Sequence, residues 1–392
     1  FIPKKIVERD FDYKYISSRQ ILSIAGPRRA GKTYLCFQII NRLRQQVPRE
    51  NIIYINFEDE RLYPLKGDEL SLLLEVCEEL YNLDDRHRFY VFADEIQNVP
   101  NWGKWCRRIH ESRKNVKLIV TGSSSKLLSK ELATELRGRT LTHMVFPYSF
   151  REFLAAKNMG YSIKNLAYGA DKPKIKRAFN EYLEFGGFPQ ILEEDLKKQM
   201  LQNYYSTVFY KDLIERFNVK NVRMMEDFLK LLMDSFSSLM SLSKMENKLK
   251  SLGHKASKSV LKSYLSSIND IFLLFSVKKY AFKRTEQLRH PAKVYAIDTG
   301  LTNAIRFSFS DDFGKHLENC AFIELVRRGG EVYYHEGGGN CDFLVKEGGK
   351  ITQAIQVTKG LTESTKEREI KGLLDAMKIH RLREGLILTE DD

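Results

Sequence analysis

The chain has 392 residues, 43% of them hydrophobic and 29% charged, with only 9 Pro and 23 Gly. This is the length of two or three domains with sizeable cores, and it excludes global disorder, collagen-like repeats and low-complexity architecture. Against 51 Asp+Glu stand 64 Lys+Arg, a formal charge of +13, which favours a polyanionic partner without establishing one.

In the first third, short β-branched or aromatic runs alternate with helical patterns. Ile21 to Ala25, Asn51 to Phe57, Arg88 to Ala93 and Lys117 to Thr121 read as buried strands. Between them, Lys32 to Leu43, Glu69 to Leu80 and Trp102 to Arg113 carry apolar residues at helical spacing. Such alternation implies a parallel sheet covered on both faces, with a last strand expected at Leu141 to Phe146. On this reading 1–150 form one α/β domain and 151–240 a helical region broken by the turn Gly186-Gly187-Phe188-Pro189. Short helices and a hairpin fill 241–305, and a second α/β unit occupies 306–392.

Gly26-Pro27-Arg28-Arg29-Ala30-Gly31-Lys32-Thr33 fits G-x-x-x-x-G-K-[ST] directly after a strand and at the opening of a helix. Phosphate oxygens need several N–H donors converging from one side, and a glycine-bearing loop at a helix N-terminus supplies them. Lys32 is expected to reach the β- and γ-phosphates and Thr33 to offer its hydroxyl to Mg²⁺, with Tyr34 next to the nucleotide. Phe89-Tyr90-Val91-Phe92-Ala93 is an apolar strand ending in Asp94-Glu95, the form of a Walker B segment: Asp94 for Mg²⁺, Glu95 for the attacking water. The strand Leu118 to Thr121 ends in Gly122-Ser123-Ser124-Ser125. Ser123 is either a γ-phosphate sensor or part of a helix cap. Trp102 and Trp105, three apart, read as core anchors rather than base-stacking residues.

These segments, together with Phe92 to Trp102, Thr121 to Ser129, Leu136-Arg137-Gly138-Arg139, Phe146 to Phe153 and the Gly186 turn, resemble the predicted AAA+-superfamily P-loop ATPases of archaea and bacteria that carry an uncharacterised C-terminal domain. The resemblance implies an additional-strand P-loop fold with sheet order 5-1-4-3-2, the cofactors ATP and Mg²⁺, and possible homo-oligomers. It also implies that Arg137 or Arg139 touches the γ-phosphate in cis or from a neighbouring subunit. The alternative for these arginines is a local ion pair with Glu131 or Glu135.

Within 251–300 nine bases face three acids. Helix, glycine turn, helix and basic hairpin follow a winged-helix plan. Lys255, Lys258 and Lys262 lie near the second helix, Lys283 and Arg284 on the wing, and the segment is either a DNA contact or a packing module. From Gly314 the tail resembles the restriction-endonuclease-like fold. Glu318 lies on a helix, Asp342 heads a strand after Gly337-Gly338-Gly339, and Gln356-Val357-Thr358 stands where active nucleases carry (D/E)-x-K. The expected site is therefore degenerate, with Lys359 on the wrong strand face to substitute and with Lys366 or Lys371 as candidates to replace the lysine.

The longest apolar runs fall far short of the roughly 20 residues of a membrane helix, and nothing reads as an export signal. Cys36, Cys77, Cys106, Cys320 and Cys341 are scattered without a C-x-x-C pair, as expected of free thiols in the cytoplasm rather than a zinc site. The leading expectation is an Mg²⁺-dependent ATPase acting on DNA. Its rivals are a nucleotide-regulated switch or scaffold that binds a protein partner, and an ATP-regulated metal-dependent nuclease.

Overall fold

The computed structural model describes residues 3, 6–65, 69–80, 88–122, 136, 138–162, 171–306 and 312–390. The chain divides into two compact units, Phe1–Met159 and Gly160–Asp392. The first therefore runs past the boundary expected at 150.

Unit one alternates strand and helix: β1 Ile21–Ala25, α1 Lys32–Leu43, β2 Ile52–Asn56, α2 Leu72–Leu80, β3 Phe89–Asp94, α3 Trp102–Ser112, β4 Val116–Gly122, β5 Thr140–Met144 and α4 Phe150–Ala156. The strands are all parallel, in the order β2-β3-β4-β1-β5. This is the expected order. Side chains alternate across each strand, so one apolar run feeds two cores. Leu22, Ile24, Phe92 and Ile119 pack under Leu35, Ile39 and Leu43 of α1. Val91, Leu118 and Val120 pack under Trp102, Trp105 and Ile109 of α3 on the other face. Both tryptophans are at most 5% exposed, which makes them the anchors of that layer; burying such side chains contributes roughly 2–3 kcal/mol each.

Helix α4 belongs to this unit for a physical reason. Ser149 and Glu152 form a reciprocal capping box at its start, and Glu152 also accepts the guanidinium of Arg9 at 2.9 Å. The same Arg9 donates to the carbonyls of Ala30 (2.9 Å) and Phe146 (2.5 Å).

Unit two begins with α5 Lys172–Phe185, α6 Lys197–Thr207 and α7 Val222–Asp234. Then come β6 Ser238–Met240, α8 Leu242–Ser251, α9 Lys258–Asp270, β7 Leu274–Val277, β8 Ala292–Ala296 and α10 Thr299–Ile305. A three-stranded antiparallel sheet has the order β6-β8-β7. Two features differ from the sequence reading. Helix α7, which packs against α8 and α10, precedes the expected boundary at 241, and β6 adds a strand that three residues were too short to signal. The loop after β7 contains a short helix, Arg284–Arg289.

The Gly186 turn has a local cause. Asp298, the N-cap of α10, accepts N–H groups from Leu301 (3.1 Å) and from Gly187 (2.7 Å). Gly186 has φ +76°, and a Cβ there would lie 1.9 Å from the Asp298 carboxylate. The glycines are the backbone half of a clamp on a buried acid.

The rest of unit two is α11 Phe313–Arg327, β9 Glu331–Glu336, β10 Asn340–Glu347, β11 Lys350–Val357, α12 Glu363–His380 and β12 Leu386–Leu388. Its sheet order is β12-β11-β10-β9, antiparallel except for the β11–β12 pair. The backbone of Tyr280 pairs with that of Tyr334 on β9, so the loop after β7 is sewn to this second sheet.

Candidate nucleotide site and a second polar centre

In unit one the carboxyl ends of β1, β3 and β4 bring the sequence-derived groups together, the edge at which open α/β sheets bind ligands. Gly26 and Gly31 have φ +156° and +98°, and a Cβ on Gly26 would meet the Val145 carbonyl oxygen at 2.1 Å. The loop wraps Lys32, which is 4% exposed, with Nζ 3.2 Å from the Pro27 carbonyl and 3.5 Å from Glu95 Oε1. Pro27 and Ala30 are buried in the loop, Arg28 and Arg29 face outward, and Arg28 lies 3.6 Å from Glu58. Tyr34 is half exposed on the first turn of α1.

The Thr33 hydroxyl donates to Asp94 Oδ2 at 2.7 Å. Two groups that sequence reasoning missed share the same carboxylate: the Tyr54 hydroxyl donates to Oδ2 at 2.7 Å, and the Thr121 hydroxyl donates to Oδ1. Tyr54 sits opposite Phe92 in register, so strand pairing was the signal that could have found it. Thr121 also accepts the Glu95 backbone N–H at 2.9 Å. Glu95 itself has φ +53°, a left-handed conformation that aims its side chain back at Lys32. Burial works to raise the Glu95 carboxyl, but the Lys32 ammonium, a 2.5 Å hydrogen bond from Gln97 and Arg28 outweigh it and hold the group below the ordinary glutamate range. Glu95 is thus an ionised carboxylate beside Lys32 and the glycine loop. The hard oxygens of Thr33 and Asp94 fit a small divalent cation at one wall.

Arg139 departs from expectation. It stands before β5, whose five residues span about 16 Å, at the end of the strand opposite to Met144, which pairs with Ala25 at the loop. Its guanidinium is 2.8 Å from Glu111 on α3. The residue thus precedes the strand whose far end meets the loop, and its ion pair is with a carboxylate other than the Glu131 or Glu135 expected. Arg137 and Ser123 lie outside the described residues.

In unit two, Glu318, Asp342 and Gln356 do converge, on a cavity of about 580 Å³. The Asp342 N–H donates to Gln356 Oε1 (3.1 Å), the Gln356 amide donates to Glu369 (2.5 Å), and the Val357 N–H donates to Asp342 Oδ2 (3.0 Å). The missed member is Lys293 on β8. Its Nζ is 2.8 Å from Asp342 Oδ1 and 3.0 Å from Glu318 Oε1. The Tyr295 hydroxyl donates to the same Glu318 oxygen at 2.6 Å. Burial and then the Asp342 charge push the Glu318 carboxyl above the ordinary glutamate range. Burial disfavours the Lys293 charge, but Glu318 and Asp342 overcome it and hold the ammonium above the usual lysine value. Lys371 borders the cavity, whereas Lys359 turns to the Phe313 ring.

Of the expected DNA contacts, Lys255, Lys258, Lys262, Lys283 and Arg284 are all exposed. Lys255 lies between α8 and α9, Lys258 and Lys262 on the first turns of α9, and Lys283 and Arg284 at the start of the short helix.

Residues 18–154 match the family described as an AAA domain, and residues 176–312 match a domain of unknown function (DUF8612). The uncharacterized protein MJ1544 of Methanocaldococcus jannaschii is 38% identical over 382 residues, 95% of this chain and 82% of that protein. An uncharacterized protein of Haemophilus influenzae is 31% identical over 350 residues, 88% of this chain and 84% of that one. The chain belongs to the family of these two proteins. The AAA domain of this family member is its first unit, a P-loop ATPase fold that accounts for the nucleotide-binding geometry. Among solved structures, the Walker-type ATPase PABY2304 of Pyrococcus abyssi aligns with 74% of this chain and 92% of its own, at 15% identity and a TM-score of 0.48. Among the described residues no helix is long and apolar enough to cross a membrane.

Proposed function

We propose that the chain is a cytoplasmic, Mg²⁺-dependent ATPase that works on DNA. The observation that carries the first part is the convergence of Lys32, Thr33, Asp94 and Glu95 at one sheet edge, with Glu95 ionised 3.5 Å from Lys32. The loop N–H groups and Lys32 hold the β- and γ-phosphates, and Thr33 with Asp94 holds Mg²⁺. Bound there, the ion supplies charge neutralisation at the β- and γ-oxygens. Glu95 accepts a proton from a water that attacks the γ-phosphorus, while the bond to the bridging oxygen breaks and ADP leaves. Tyr54 and Thr121 orient Asp94 by donating to it. Arg139, remote from its own loop, acts if at all on the nucleotide of a neighbouring copy in a homo-oligomer.

What supports the DNA reading is the element order α7-β6-α8-α9-β7-β8 with sheet order β6-β8-β7, the order of a winged helix, with α9 as the recognition helix and five exposed bases on α9, just before it and in the loop after β7. The order α11-β9-β10-β11-α12-β12 supports a restriction-endonuclease-like module with a degenerate site. ATP turnover measured with and without single-stranded, duplex and branched DNA tests the whole reading. DNA stimulation is expected. Turnover indifferent to DNA, with nucleotide-dependent capture of a protein, would move the chain to the switch class.

A further inference from the structure

Lys293 is the centre strand's contribution to the carboxylate pair of unit two. Its backbone is fixed on both sides, opposite Leu239 on β6 and Val277 on β7, so the side chain leaves the sheet from an immobile root. Side-chain period places Lys293 and Tyr295 on one face of β8. Both reach Glu318, and Lys293 also reaches Asp342, with 14% of its own side chain exposed. The neighbouring Asn319 exchanges two hydrogen bonds with the Ala296 backbone, at 2.7 and 2.9 Å.

We propose that Lys293 is the resident cation of the Glu318–Asp342 site. An ammonium group stands where a bridging divalent ion would have to sit, and the centre fastens the β6-β8-β7 sheet to the C-terminal α/β module without metal.

The donor inventory supports this. Mg²⁺ requires near-octahedral oxygen at about 2.0–2.1 Å. Here Asp342 gives one oxygen to Lys293 and the other to the Val357 N–H, and Gln356 gives its carbonyl oxygen to the Asp342 N–H. Glu369 is held by Arg368 and by Gln356. Among the described residues no group of three or more His, Cys, Asp or Glu is arranged to hold a metal ion. Three acids facing two bases leave little negative charge to recruit a second cation. Displacing Lys293 would bury its ammonium without a partner, which is strongly unfavourable. The inference does not depend on ATP hydrolysis or DNA contact, because every group in it belongs to unit two and none is a residue of the nucleotide site.

Mn²⁺ titration of the full-length chain, followed by electron paramagnetic resonance in an Asp94→Asn background that removes the carboxylate at the end of β3 from the nucleotide site, tests it. The parent is expected to show no Mn²⁺ binding that depends on Asp342. Lys293→Ala is expected to gain one site at least tenfold tighter than any in the parent, lost again on Asp342→Asn. Mn²⁺ bound by the parent and released by Asp342→Asn would overturn the proposal, as would a folded Lys293→Ala chain that gains no site. Should Lys293→Ala fail to fold, the parent titration decides alone: an Asp342-dependent site refutes the assignment and its absence sustains it.

Discussion

Two residues show how different a side chain's task is from its place in a motif. Glu95 is held ionised by Lys32, Gln97 and Arg28 despite burial, so it is in the deprotonated form that a base requires, although the same neighbours weaken its basicity. Glu95→Gln keeps the shape and removes the base. ATP binding should persist within a few-fold while turnover falls at least about a hundredfold, measured as nucleotide affinity and steady-state phosphate release on the same preparation. Equal turnover in the variant would dismiss the assignment. Lys32→Ala, by contrast, should lose productive ATP binding itself. Arg9 lies in no motif, yet it ties the loop carbonyl of Ala30 to Glu152 and to the carbonyl of Phe146. Arg9→Met should lower unfolding stability by about 3–5 kcal/mol, because it leaves a buried Glu152 without its cation. Urea denaturation would measure this. A loss below 1 kcal/mol would mean that Glu152 finds water or another donor.

At the scale of elements, period and punctuation account for what the sequence made legible. The apolar runs of β1, β3 and β4 with helices between them could form little but a doubly covered parallel sheet, and the P-loop's position between β1 and α1 followed from two glycines and a lysine. What stayed hidden depends on pairing between distant strands. β6 has three residues, Tyr54 reaches Asp94 only because β2 lies beside β3, and Lys293 meets Asp342 only because two sheets pack around α11. No local pattern encodes such meetings. The Gly186 turn is intermediate: its glycines were visible, but their reason, Asp298, is 111 residues away. Burial pushes the Asp298 carboxyl up to about 6, against hydrogen bonds from Gly187, Leu301 and Gly300. With the folded value above the unfolded one near 3.9, the native state binds the extra proton. The resulting stabilisation is complete below about pH 4 and is lost as pH rises through about 6. Denaturation midpoints from pH 4 to 7 should therefore fall more steeply in the parent than in Asp298→Asn. Parallel curves would remove Asp298 as the source. Gly186→Ala should cost more than about 2 kcal/mol, since its Cβ would occupy the carboxylate's position at a left-handed φ.

For the molecule as a whole, the distribution of charge matters more than its sum. Of the nine bases within 251–300, Lys293 is spent on Glu318 and Asp342, and Lys279 pairs with Glu286. The count of nine bases therefore overstates what a polyanion meets. The other seven, Lys255, Lys258, Lys262, Lys278, Lys283, Arg284 and Arg289, are exposed and can displace condensed counterions. If α9 and the following loop contact DNA, three such phosphate contacts give affinity a log–log salt slope of about −3. Reversing charge at Lys258, Lys262 and Arg284 should then weaken binding to every sequence alike and flatten the slope by about that amount, because phosphate contacts position without reading bases. Lys293→Met, although it also removes a base, should leave the slope unchanged, since its ammonium faces the carboxylates and not the solvent. Fluorescence anisotropy with labelled duplex at 50 and 200 mM salt separates these outcomes. An unaltered slope in the triple variant would make the basic segment a packing element, and a slope altered by Lys293→Met would mean that the carboxylate centre opens when DNA arrives.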